Sequence, residues 1–268
     1  MTSRTLTEPL AQTYAANWRA THFLVTTDPT AMQNSLGNFD RISIINLASR
    51  SDRRAEMAEQ LGRIGLSITG NEKVRLVQAV RPEDAGDFPS IGARGCFMSH
   101  LSVLRDAAAA RSDRILILED DLNFSRDFAT RAPTVWAHLE ALDWAIFYGG
   151  YEMDRLPESV DACVAISPTI VVRTTHFVGF KGAVIPALAK YLEAMLERSI
   201  GHPDGGPMHV DGAYSFFRRA NPCYATLVAV PALGYQRASR TDIHALRWFD
   251  RMPGVRYITS AVRRARNG

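Results

Sequence analysis

The run Arg114-Ile-Leu-Ile-Leu-Glu-Asp-Asp121 constrains this chain more than any other stretch. Four apolar residues, Ile115 to Leu118, pass directly into three carboxylates, Glu119, Asp120 and Asp121. A short unbroken apolar run between turn signals reads as a strand buried on both faces, as parallel strands are. Ligands of open α/β sheets bind beyond the carboxyl ends of such strands, so the acids stand where chemistry is expected. Alternation along an extended chain puts Glu119 and Asp121 on one side and Asp120 on the other. Two oxygen ligands facing one way suit a hard divalent cation that also holds a diphosphate. An acidic strand end in solvent, or caps for a following helix, is the plainer reading of the same residues. Three adjacent carboxylates repel one another unless a cation or arginines compensate, which favours the metal reading.

The rest of the composition sets bounds. A chain of 268 residues is long enough for one large α/β domain, alone or with an appendage. Its apolar fraction of 46% and charged fraction of 22% are those of a soluble globular protein. A net charge of +3 gives no reason to expect nucleic acid as a partner. Among 31 basic residues only Lys73, Lys181 and Lys190 are lysines. Arginine excess suits phosphate binding but also follows from coding composition. Cys96, Cys163 and Cys223 have no metal spacing, and an odd, sparse count fits a reducing compartment. Residues 1–20 lack the apolar stretch of a signal peptide, and no run reaches membrane-spanning length. The expected location is the cytoplasm.

Taken in order, residues 1–39 read as an N-terminal arm with one weak helix near 8–20. Arg41 to Leu47 is the first strand, and Ser49 or Ser51 can cap a helix carrying Met57, Leu61 and Ile64 that Gly65 closes. Lys73 to Val80 is the second strand, so strand, helix and strand open a doubly wound sheet. A loop from Arg81 to Gly95 leads into a helix starting at Cys96, with Phe97, Leu101, Leu104 and Ala108 as its buried stripe and His100 on the flank. Glycines before a helix N-terminus can cradle phosphate, though Gly92-x-x-Gly95 is a weak signal alone. Further helices are expected at Ser125–Leu142, from Pro186 to Arg198, and after a flexible loop at 201–207. Strands are expected at 144–148, 163–166, 170–172, 176–180 and 224–230. Beyond Pro231 the chain passes Gln236, Ser239, Asp242 and His244 into a basic tail, residues 247–268, whose arginines alternate with Trp248, Phe249, Tyr257 and Ile258. Such a segment can lie on an anionic membrane, which would put the chain at the inner face of the membrane; a solvated helix is the plainer alternative.

Three blocks carry a more specific signal: Ile45-Asn46-Leu47 followed by Arg50, Asp52, Arg53 and Arg54; Gly95-Cys96 with Ser99-His100; and Leu118-Glu119-Asp120-Asp121. In this order they resemble glycosyltransferase family 25, which includes bacterial lipopolysaccharide and lipooligosaccharide sugar transferases. From 145 to 245 the likeness is looser, resting on Tyr148-Gly-Gly150, Val210-Asp211 and Ser239 to Asp242. The resemblance implies a GT-A-like α/β fold over residues 40–246, with a mainly parallel mixed sheet flanked by helices. It implies transfer of a hexose, commonly galactose, from a UDP-sugar to a hydroxyl of a glycan or lipid-linked oligosaccharide, with Mn2+ or Mg2+. Asp121 is then the direct metal ligand, with Glu119 beside it and His244 completing the shell. Asn46, Arg50, Arg53, Ser99, His100, Glu119 and Asp120 become donor-binding candidates. Inverting transfer needs a carboxylate across the sugar from the diphosphate to take the acceptor's proton. Asp211, with His209 nearby, is the first candidate and Glu152 the reserve; a helix N-cap is the equally simple reading of Asp211. A sugar-nucleotide-binding protein without transfer stays open. A nucleotidyltransferase would carry a glycine-rich loop after the first strand, and Ile44-Ile-Asn-Leu-Ala48 has no glycine.

Overall fold

The computed structural model describes residues 36–37, 39–155 and 162–237. The N-terminal arm up to residue 35, the basic tail and His244 lie outside these residues. Leu36 and Phe39, assigned to the arm by their sequence, are buried, and Phe39 packs edge-on against Trp136 and Trp144.

The described residues form one mixed α/β domain. Its seven-stranded sheet takes β1 (Arg41–Asn46), β2 (Val74–Gln78), β3 (Arg114–Glu119), β5 (Ile146–Glu152), β6 (Cys163–Ile166), β7 (Arg173–Lys181) and β8 (Thr226–Ala229), in the order β2-β1-β3-β7-β5-β8-β6. β2, β1, β3, β5 and β8 run one way, whereas β7 and β6 run against them. Two further strands, β4 (Leu122–Phe124) and β9 (Gly234–Gln236), pair antiparallel beside the carboxyl end of β3. Residues 170–172, expected as a strand, form a turn and lead-in to β7 instead.

Ile115 to Leu118 are fully buried, as their run of apolar side chains requires. Their neighbours differ from expectation on one side only: β1 is parallel to β3, but β7 is antiparallel. Ile115 and Ile117 point into one core with α2 (Ile91–Ala109), α4 (Val184–Leu196) and α5 (Val210–Ala220). Leu116 and Leu118 point into the other with α1 (Ser51–Arg63) and α3 (Phe128–Ala141). At about 1.5–3 kcal/mol per buried side chain, this one strand ties both layers together. Met57 and Leu61 supply the inner stripe of α1, and Phe97, Leu101 and Leu104 that of α2.

Two boundaries move. The N-cap position of α1 is Arg50, whose side chain makes no cap bond, so neither serine serves there. α2 begins at Ile91 rather than Cys96, because Ser90 Oγ accepts the Ala93 amide and caps it. Gly92 and Gly95 are therefore helical residues, not a phosphate loop. Gly95 is needed for close approach: a Cβ there would lie 2.7 Å from the Val80 carbonyl oxygen. Ser99 strengthens the same seam, donating to the Gly95 carbonyl at 2.6 Å and accepting the Val80 amide at 2.8 Å. Gly95→Ala should cost about 1–3 kcal/mol, because backbone rather than a flexible side chain must yield. Urea denaturation checks this, and an unchanged midpoint would show that the seam is looser than described.

Candidate active site at the switch of strand order

The order β2-β1-β3 sends the chain to opposite sides of β1, with α1 on one face and α2 on the other. The crevice at such a switch point, beyond the carboxyl ends of β1 and β3, is where open α/β sheets bind ligands. A cleft of about 330 Å³ lies there. Ile45, Leu47, Ala79, Val80 and Ile91 give it apolar walls, while Arg53, Arg81, Glu119 and Asp120 bring charge to it.

The three acids divide their work in a way that simple alternation does not foresee. The strand ends at Glu119, and Asp120 and Asp121 stand in the turn into β4. Asp120 Oδ1 and Asp121 Oδ2 accept from the same Arg53 nitrogen, Nη1, at 2.9 and 3.2 Å. Asn46 Nδ2 donates to Asp120 Oδ2 at 2.7 Å and to the Arg50 carbonyl at 3.1 Å. Glu119 turns elsewhere: its Oε1 accepts the Thr175 hydroxyl at 2.7 Å and faces His100 Nε2 at 3.3 Å. The expected pairing of Glu119 with Asp121 thus gives way to Asp120 with Asp121, since the turn ends the pleat. β9 closes the site from the far end of the chain. Gln236 Nε2 donates to Asp121 Oδ2 at 3.2 Å, the Arg237 amide to the Asp121 carbonyl at 2.7 Å, and the Arg237 guanidinium to the Asp120 carbonyl at 3.0 Å.

The environments push two of these carboxyls apart. Burial opposes ionisation of Glu119, but the hydrogen bond and charge of His100, with the Thr175 hydroxyl, outweigh it and hold its carboxyl below the usual range. Burial pushes Asp121 up to about 7, the charges of Glu119 and Asp120 add to this, and Arg53 opposes it. Asp121 Oδ1 is buried without a hydrogen-bond partner among the described residues. A carboxylate oxygen left unpaired among other acids is a coordination position for a hard cation, so the residues present fit the implied metal.

This gives a pH dependence with a definite sign. An acid whose carboxyl is raised in the folded chain binds its proton more tightly there than when unfolded. Metal-free protein should therefore lose stability as pH rises from about 4 to about 7, and level off above. Denaturation across that window, wild type against Asp121→Asn, isolates the effect; identical slopes would remove it. Saturating manganese should reverse the slope, since the cation displaces that proton.

The remaining candidates fall out as follows. Arg50 stands at the N-cap position of α1, and its guanidinium is paired with Asp52, at 2.7 Å from Nη2 to Oδ2. Ser99 is a buried clamp between α2 and the end of β2. His100 is fully buried, with Nδ1 2.9 Å from the Tyr214 hydroxyl. Asp211 is not the N-cap of α5, a position that His209 takes without a side-chain bond. Its Oδ2 accepts the Thr174 amide at 3.1 Å and its Oδ1 the Gly212 amide at 2.7 Å. Thr174 has φ 66, a left-handed conformation that a β-branched residue rarely takes, and holding it there costs about 1–3 kcal/mol. Asp211 fixes this strained start of β7, from which Thr175 reaches Glu119 and the Thr174 hydroxyl meets His176 Nδ1 at 3.1 Å. Burial pushes the Cys96 thiol well up, and the charges of Glu119, Asp121, Asp211 and Asp120 add to this. Glu152 is exposed at the last position of β5, opposite Arg173, and does not line the cleft.

Thr175, His176, Tyr214, Gln236 and Arg237 are site residues without a sequence signal strong enough to select them. Gly150 carried one. A Cβ there would stand 2.3 Å from His176 Nε2, so the glycine clears space for that ring.

The fold and this crevice define a class, a mixed α/β protein with acids at a cleft beyond its strand ends. Residues 39–162 match the family model described as Glycosyltransferase family 25 (LPS biosynthesis protein). A human relative, Inactive glycosyltransferase 25 family member 3, is 30% identical over 46% of this chain and 24% of its own. Procollagen galactosyltransferase 1-B of Xenopus laevis is 24% identical over 50% of this chain and 25% of its own. These matches make residues 39–162 similar to glycosyltransferase family 25. The chain spans about a quarter of the length of the curated relatives it matches. A solved glycosyltransferase involved in the glycosylation of the major capsid of PBCV-1 is 11% identical, with a TM-score of 0.35, over 75% of this chain and 96% of its own; at that distance it carries no argument. Among the described residues no helix is long and apolar enough to cross a membrane.

Proposed function

We propose that this chain is a metal-dependent glycosyltransferase of family 25 that moves a hexose from a UDP-sugar to a hydroxyl of a glycan or glycolipid. The observation that carries the reading is Asp121 Oδ1, buried and without a hydrogen-bond partner among the described residues, next in the chain to Asp120, which lines the cleft of about 330 Å³ at the switch point. Names among the relatives include procollagen galactosyltransferase, which makes galactose the first donor sugar to test.

Each part of the site has a task in this reading. The apolar walls from Ile45 to Ile91 receive the base and ribose, and Arg53 and Arg81 face the diphosphate. Asp121, with Asp120 beside it, would hold manganese or magnesium; Glu119 is engaged with His100 and Thr175. When bound, that ion supplies Lewis-acid stabilisation of the charge developing on the departing diphosphate. Asp211 takes the proton from the acceptor hydroxyl as it attacks, onto a carboxylate oxygen that the Thr174 or Gly212 amide already orients.

Four relatives carry "inactive" in their names, which gives a second reading, a sugar-nucleotide-binding chain without transfer. UDP release from a panel of UDP-sugars, with and without manganese and with glycan acceptors, separates the two. Manganese-dependent release of UDP is the expected result. Binding of UDP-sugar without release under any condition would establish the second reading.

A further inference from the structure

Cys96 and His100 are four residues apart on α2, so their side chains leave one face of the helix a turn apart. Cys96 Sγ, one His100 ring nitrogen and one Glu119 carboxylate oxygen all lie within 4.8 Å of one another. Two of the three groups are oriented from outside: His100 by the Tyr214 hydroxyl at 2.9 Å and Glu119 by the Thr175 hydroxyl at 2.7 Å. Cys96 and Glu119 line the cleft, so the cluster is open on that side.

We propose that Cys96, His100 and Glu119 form a binding site for zinc, separate from the oxygen-lined position at Asp121. Thiolate, imidazole and carboxylate are the three donor types of protein zinc sites, and three protein ligands with one open position is an established zinc arrangement. Manganese and magnesium favour oxygen, so the two positions differ in the ion they select. Ligand atoms around a tetrahedral zinc stand roughly 3.3–3.8 Å apart, from the usual bond lengths. Side-chain shifts of about an ångström bring the cluster to that spacing. On binding, the Cys96 thiol releases its proton to solvent and its sulfur bonds the metal. His100 Nε2, which donates to Glu119 in the metal-free protein, gives up that proton to solvent and its lone pair bonds zinc, leaving the ring with one proton, on Nδ1, donated to the Tyr214 oxygen. The Thr175 hydroxyl continues to donate to Glu119. Nothing in this depends on sugar transfer.

The test uses metal-stripped full-length chain titrated with cobalt(II), followed by zinc. One equivalent of cobalt should give sulfur-to-cobalt charge-transfer absorption that zinc then abolishes; cobalt on oxygen ligands alone gives no such band. Cys96→Ser should remove the band, Cys223→Ser should leave it, and Tyr214→Phe should weaken binding about 10-fold. Should Cys96→Ser fail to fold, alkylation of the wild type mapped by mass spectrometry replaces it. Zinc should slow alkylation of Cys96 at least about 10-fold and leave Cys223 unaffected. Absence of the thiolate band, its loss in Cys223→Ser, or equal alkylation of Cys96 with and without zinc would overturn the site. These readouts are unaffected if UDP release fails.

Discussion

Asp121→Asn should lower manganese-dependent UDP release by roughly 10²–10³-fold, the loss typical of removing one preorganised stabiliser of developing charge. The same change should leave the melting temperature unchanged or raise it. Burial and the neighbouring acids already work against the Asp121 charge, and one of its oxygens has no partner among the described residues. Asparagine keeps the shape, still accepts from Arg53 or Gln236, and removes the repulsion. Stability and activity therefore move in different directions, which misfolding cannot produce. Near wild-type release at limiting manganese would take Asp121 out of the metal site.

Asp211 offers the second large effect. The structure replaces the N-cap reading with an anchoring one, because the carboxylate holds the Thr174 amide in its strained conformation. Asparagine can still accept that amide. Asp211→Asn should therefore fold normally and lose about 10²–10⁴ in donor-saturated transfer if the carboxylate takes the acceptor's proton. Asp211→Ala should show the same loss together with a lowered melting temperature, since Thr174 is then unsupported. Unimpaired transfer by Asp211→Asn would leave the residue an anchor only.

The ends of the strands were legible because hydrophobicity stops abruptly there. Ile115 to Leu118 announce burial, and the acids that follow can only be at the edge of the sheet. The opening strand, helix and strand were equally plain. What the run could not show was the turn: once β3 ends at Glu119, side chains no longer alternate, and Asp120 joins Asp121 on Arg53. Nor could spacing show partners from distant segments. Thr175 lies 56 residues from Glu119, and Gln236 lies 115 from Asp121. Both are common polar residues whose role exists only after the sheet has assembled. The start of α2 differs for a local reason: Gly92 and Gly95 read as loop punctuation, whereas both are helical and Gly95 serves close packing.

The central claim, that the β3 acids form a metal-linked nucleotide site, is tested most directly by calorimetric titration of UDP into the purified chain, with and without manganese. UDP should bind with manganese and much more weakly without it, and Asp121→Asn should abolish the manganese dependence. Equal binding in both conditions, or a manganese dependence preserved in Asp121→Asn, would contradict the account.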